Sequence, residues 1–189
     1  MELKDLEEAV ENMILQHNYP GFEPRSLNMA LPAAFNDAPA KLYSQALGSS
    51  SIYVQLFALR WFQTKTKAAK NHVTLIALLL ENADPWVRRE TIRTIEIAKI
   101  RESKSILKIS ALLKDPDPIV RIEAAKALGN MLKESAKVNE LAQEKEQKNG
   151  PSIKDTIIVA LKEASNDSVQ DVRRKAIKSL RKLGAFSAS

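Results

Sequence analysis

Apolar residues recur at three- and four-residue spacing along most of this chain, and one short pattern is written four times. Val54 leads to Ala58, Leu59 and Phe62, and Val87 leads to Ile92 and Ile95. Val120 leads to Ala124, Ala125 and Leu128, and Val172 leads to Ala176, Ile177 and Leu180. Such spacing places the residues on one face of an α-helix. The step from Val54 to Val87 equals the step from Val87 to Val120. A constant period of this size predicts stacked two-helix units, in which each unit buries its apolar face against its neighbours.

The pattern predicts second helices over 51–64, 85–99, 118–137 and 169–183. First helices are expected over 68–81, 103–114 and 151–164. Pro85 and Pro118 follow Asp84 and Asp117. Proline suits the first helical turn, where its missing N–H has no partner to lose. Residues 2–17 form a further predicted helix, broken by Tyr19-Pro20-Gly21-Phe22-Glu23-Pro24. Two short helices, over 25–31 and 38–47, are expected next. Because terminal units of a solenoid must cover an exposed core, they depart from the repeat. Residues 1–48 are therefore expected to be an N-terminal helical cap, residues 49–184 the repeats, and 185–189 a tail. The repeats divide as 49–81, 82–114, 115–150 and 151–184. The step from Val120 to Val172 is longer than the others, and most of the excess lies in the polar stretch 139–150. That insertion is expected to be a helical extension or a loop.

Composition narrows the picture. Among 189 residues, 44% are hydrophobic but only 5% aromatic, so the core must be aliphatic. Four of the 8 prolines, Pro20, Pro24, Pro32 and Pro39, precede the repeats, which are left nearly free of helix breakers. With 0 cysteines there is no thiolate metal site and no cysteine nucleophile. The N-terminus is acidic and the longest dense apolar run, 74–80, is short, so a soluble, cytoplasmic protein without membrane contact is expected. The net charge of +6 is unevenly placed. Residues 1–50 hold 3 Lys/Arg against 7 Asp/Glu, a net of −4, and residues 51–189 hold 26 against 16, a net of +10. A basic body beside an acidic cap points to an anionic partner or to an internal contact.

The stretch from Asp115 to Gly129 carries an Asp, Val-Arg several positions on, and then Ala-Ala-x-Ala-Leu-Gly. Asp167, Val172-Arg173, Ala176, Leu180 and Leu183-Gly184 repeat it. Asn82 and Arg88 repeat it with Asn in place of Asp, and Ser49 and Gln55 take the same slots in a degenerate first copy. The pattern resembles a HEAT repeat, most closely the HEAT-like repeat of the phycobilisome-lyase type, over about 49–184. The resemblance implies an all-α solenoid, a right-handed superhelix of about four repeats. It implies no single function, since such repeats serve as scaffolds, bilin-handling lyases, transport receptors, DNA glycosylases and iron-dependent hydroxylases. The hydroxylase branch needs His-Glu metal ligands. This chain has only His17 and His72, neither followed by Glu. No glycine-rich phosphate loop, metal spacing or nucleophile elbow is present.

The candidate functional residues are therefore surface residues. Arg60, Arg93, Lys126 and Lys178 each lie six positions after the repeat valine. On a helix that position falls off the apolar stripe and is expected to face solvent. With Arg89, Arg174, Lys175 and Arg181 they would form a basic stripe on the second helices, which line the inner face of a HEAT solenoid by resemblance. Glu90, Glu96 and Glu123 interrupt it. Tyr53, Phe57 and Trp61 share one helix face and form a candidate aromatic hot spot, unless the cap covers them. Asp115 with Arg121, and Asp167 with Arg173, are expected to be structural, bonded to each other or to the next repeat's turn. The expected function is non-catalytic protein binding, with an acidic partner on the basic face and no cofactor or metal. The alternatives are a bilin-handling, lyase-like factor and a nucleic-acid-binding solenoid.

Overall fold

The computed structural model describes residues 2–16, 35, 37–138 and 152–186. Among them there are helices and turns and no strands. The predicted helix at 25–31 and the insertion at 139–150 lie outside the described residues. Helix α1 spans Leu3–Gln16 and α2 spans Ala40–Ala46. Then come α3 (Ile52–Thr64), α4 (Thr66–Asn71) and α5 (Val73–Leu78). Next are α6 (Pro85–Ile97), α7 (Ser103–Ala111) and α8 (Pro118–Val138). Helices α9 (Ile153–Ala164) and α10 (Gln170–Lys182) complete the chain.

The second helices α3, α6, α8 and α10 pack one on the next in that order. The repeat valines Val54, Val87, Val120 and Val172 are all buried, as are Ala58, Ile92, Ala124 and Ala176. The helical period thus becomes one continuous aliphatic core. In space α10 sits on α8 as α8 sits on α6, although the intervening sequence is longer.

The predicted single first helix 68–81 is divided. Helix α4 ends at Asn71, α5 begins at Val73, and a 3-10 turn follows at Leu79–Glu81. At the break the His72 ring lies 5.5 Å from Phe62, and its Nδ1 is 2.9 Å from the Ala68 carbonyl. Helix starts follow the sequence signals. Asp84 accepts hydrogen bonds from the N–H groups of Trp86 and Val87, and Asp117 from that of Ile119. Helices α6 and α10 both end in a left-handed residue, Lys99 (φ 54) and Gly184 (φ 66). In each case the following N–H reaches back across the last turn, Ile100 to the Ile95 carbonyl and Ala185 to the Leu180 carbonyl.

Candidate functional site

The turns between first and second helices are tied into a ladder. The Arg88 guanidinium donates from Nε and Nη2 to the two oxygens of Asp115, at 2.8 and 2.7 Å. Its Nη1 donates to the carbonyls of Asn82 and Ala83 in its own turn. One unit on, Arg121 repeats the arrangement. Its Nε and Nη2 hold Asp167 at 2.8 and 3.0 Å, and its Nη1 holds the carbonyls of Asp115 and Pro116. Earlier in the chain Gln55 takes the arginine's place, donating to the Ser49 carbonyl and accepting from Asn82 Nδ2. Ser49 in turn donates to the Glu7 carboxylate of α1, which joins the cap to the first rung.

Each Asp–Arg contact therefore joins neighbouring units. Within a unit the arginine meets main-chain carbonyls, not the carboxylate six positions before it. A planar guanidinium has enough donors for both tasks, and the bidentate geometry fixes the stagger between units. Asp115 is 6% exposed and Arg88 is 9% exposed, so this rung is a buried ion pair. The hydrogen bonds to Asp115 hold the Arg88 pKa above its ordinary value, against the burial that lowers it. The Arg121 fork holds the Asp167 carboxyl below its usual range.

The basic column on the second helices is arranged differently from its sequence expectation. Arg93 and Lys126 expose only 35% and 40% of their side chains, because carboxylates sit among them. Glu90, at 2% exposure, takes Arg89 at 3.1 Å, Arg93 at 3.3 Å and Gln63 Nε2 at 3.0 Å. Glu123, at 5%, takes Lys126 at 2.7 Å and Arg89 at 3.6 Å. Arg60 is partly buried beside Glu90, and burial draws its pKa down. The positions expected to be free cations at Arg60, Arg89, Arg93 and Lys126 therefore form an internal charge network. Its acidic members lie three positions after the repeat valine, at Glu90 and Glu123, and the cations at Arg93 and Lys126 follow three positions later.

The network continues into α10. Asn130 donates to Glu96 at 2.6 Å and accepts from Lys182 Nζ at 2.5 Å. Beyond it lie exposed cations. Lys133 and Lys178 are exposed, and Lys175 is half-buried. Arg174 exposes 70% of its side chain and pairs with Asp171, while Arg181 stands 5.1 Å over the Phe186 ring. Burial, and then Lys178 and Lys133, draw the Lys182 ammonium below its ordinary pKa. Among the described residues, Lys133, Lys178 and Lys182 thus stand near one another where α8 and α10 meet.

The exposed aromatic hot spot is not formed. Phe57 is 3% exposed and Trp61 is 8% exposed, and only Tyr53 is half-buried. Tyr43 of α2 stacks on Trp61 at 4.3 Å between ring centroids, and Phe62 meets Trp61 edge-on at 5.2 Å. Helix α2 thus covers this face of α3 through the Tyr43 ring.

Another contact that decides the packing is absent from the motif-level expectations. A Cβ placed on Gly129 would lie 2.9 Å from the Cα of Ser179. The two helices approach this closely at the glycine, and Ser179 Oγ donates to the Ala125 carbonyl at 2.7 Å. Thr94 makes the equivalent bond to the Leu59 carbonyl earlier in the stack. On the turn edge, a groove of about 390 Å³ is lined by Lys114, Asp115, Arg121, Glu163, Asp167 and Ser168. Its Arg121–Asp167 and Lys114–Glu163 charges are already paired. Among the described residues no cluster of side chains is arranged to hold a metal ion, and no helix is long and apolar enough to cross a membrane.

Comparison with known proteins agrees with this architecture. The sequence model for HEAT repeats matches residues 72–143. No curated protein matches the chain. An engineered protein of the Northeast Structural Genomics Consortium is similar in structure, with a TM-score of 0.54 at 18% identity. That likeness covers 77% of this chain, which spans 62% of the engineered protein's length. The complex of CpcE and CpcF of phycocyanin lyase from Nostoc sp. PCC7120 gives a TM-score of 0.49 at 18% identity, over 88% of this chain and 68% of that one. With buried valines in register and turns bridged by Asp–Arg rungs, the described residues form an all-α solenoid, and residues 72–143 of it match HEAT repeats.

Proposed function

We propose that this protein is a non-catalytic adaptor that binds an acidic protein partner on the surface of its second helices, at the α8–α10 end. The observation that carries this reading is the contrast along that surface. Around α6 the cations are consumed by Glu90 and Glu123. At Lys133 and Lys178 the ammonium groups are exposed, and after burial they add to the lowering of the Lys182 pKa. A cluster of like charges, with no equal set of carboxylates beside it among the described residues, favours an anionic ligand, and the interaction weakens with salt. An acidic protein surface is favoured over single-stranded nucleic acid because, among the described residues, no exposed aromatic side chain interleaves with these cations to stack bases.

Titration calorimetry of the full chain with poly-glutamate, and with duplex DNA at equal ionic strength, tests the proposal. The expected result is salt-sensitive binding of poly-glutamate in preference to the duplex. Preference for the duplex, or a coloured complex on addition of a bilin without poly-glutamate binding, overturns it.

A further inference from the structure

Among the described residues the ladder of turns has an open rung at Arg173. Arg173 holds the carbonyls of Asp167 and Ser168 through Nη1, at 2.7 and 2.9 Å, as Arg88 and Arg121 hold their own turns. In Arg88 and Arg121 the Nε–Nη2 edge is then occupied by the aspartate of the next turn. Among the described residues no acceptor faces that edge of Arg173. The guanidinium is held in the geometry that its two counterparts use to take a carboxylate, and it is only half-buried. Beside it, Ile177 is half-buried, whereas Leu59, Ile92 and Ala125, which stand five positions after the other repeat valines, are 0% exposed. The surface therefore has the two features by which one unit receives the next, a pre-oriented arginine fork and an incompletely covered aliphatic residue.

We infer that Arg173 and Ile177 form a docking site for a partner that presents an aspartate from a helix-initiating turn, held in the bidentate manner of Asp115 and Asp167. The inference rests on the acidic-partner reading and assigns that partner's point of attachment. Both filled rungs show why an aspartate in a turn fits. Asp115 Oδ1 also accepts the Asp117 N–H and Asp167 Oδ1 accepts the Val169 N–H, so the turn itself orients the carboxylate toward the arginine. A second copy of this chain does not supply the group head to tail. Its first turn carries Ser49, which is 6% exposed and already bonded to Glu7 of α1. The neighbouring cations Arg174 and Lys178 raise the encounter rate for an acidic surface, while the fork selects the carboxylate geometry.

The test uses the full chain and a helical peptide that opens on Asp-Pro-Asp-Pro, with an Asn-Pro-Asn-Pro peptide as the uncharged control. The expected result is that the Arg173 Nε–H resonance moves on adding the Asp peptide and not the Asn peptide. Arg173→Lys keeps the charge but loses the fork, and it is expected to weaken Asp-peptide binding by about tenfold. Lys4→Ala, at an exposed pair on α1, is expected to leave it unchanged. An unmoved resonance, or equal binding by wild type and Arg173→Lys, overturns the inference. The wild-type resonance decides the matter should Arg173→Lys fold poorly. Poly-glutamate binding together with Asp-peptide failure sinks this inference alone, and failure of both sinks the acidic-partner reading as well.

Discussion

Arg121 holds Asp167 by two hydrogen bonds across 46 positions of sequence, in the same geometry with which Arg88 holds Asp115 across 27. The lengthened last step of the repeat is thus absorbed outside the ladder, and the stagger of the units is preserved. Keeping this bidentate contact over different loop lengths is what holds α10 in register on α8.

The rungs should differ in energetic weight according to burial. Arg88→Ala leaves Asp115 buried without its charge partner, and a loss of about 3 kcal/mol is expected. Lys4→Ala, which removes an exposed pair with Glu8, should cost under about 0.5 kcal/mol. Urea denaturation of the two variants measures the difference. Equal midpoints would show that the ladder does not stabilise the stack.

Asp167 gives the ladder an acid limit. Its carboxyl pKa is lowered in the folded state, chiefly by the Arg121 fork, so the folded protein holds the proton less tightly than the unfolded chain. The stabilisation is present above the ordinary carboxylate pKa of about 4 and is lost as pH falls through the lower, folded value. Asp167→Asn is expected to be less stable than wild type at pH 7, with the gap narrowing below about pH 4. Denaturation midpoints across pH 2–7 check this. A gap that is constant with pH contradicts it.

Gly129 is required by close approach. Gly129→Ala gains helix propensity of about 1 kcal/mol but drives its methyl into Ser179, at an expected net cost of about 2 kcal/mol. Ser179→Gly in the same chain removes the Cβ and Oγ from the contact and should restore part of the loss. Thermal melts of the single and double variants give the coupling directly. A stabilised Gly129→Ala would mean that α8 and α10 can separate at little cost.

Tyr43 reports on the cap. Its hydroxyl donates to the Phe35 carbonyl at 2.7 Å, and burial pushes its pKa up to about 12. Alkaline titration followed by phenolate absorbance should find this tyrosine protonated at pH 11 in the folded protein. The contribution is full below the ordinary tyrosine value of about 10 and disappears as pH rises through the folded value. Trp61→Ala should remove the stacked ring, lower stability by about 3 kcal/mol and bring the Tyr43 transition down. A titration unchanged by that substitution would separate the cap from the first repeat.

The repeat frame was legible because the valine column is set by helical periodicity, which survives in a bare sequence. The arginine column at Arg88 and Arg121, one position after the repeat valine, was legible for the same reason. Which aspartate each one meets was not, since the choice depends on the stagger between units. The failure of the free basic stripe had a visible signal in Glu90 and Glu123, each three positions before a column cation. Their burial was not visible, because it comes from the adjoining second helix. Trp61 looked available on its own helix, and the covering ring, Tyr43, came from a short helix that carries no repeat motif.

The acidic-partner account is tested most directly by measuring the affinity of poly-glutamate for the full chain, for Lys133→Glu with Lys178→Glu, and for Arg93→Gln. The account predicts a loss of about tenfold or more for the double variant and less than about twofold for Arg93→Gln, whose charge is already engaged by Glu90. Binding by the double variant equal to that of the wild type would contradict it.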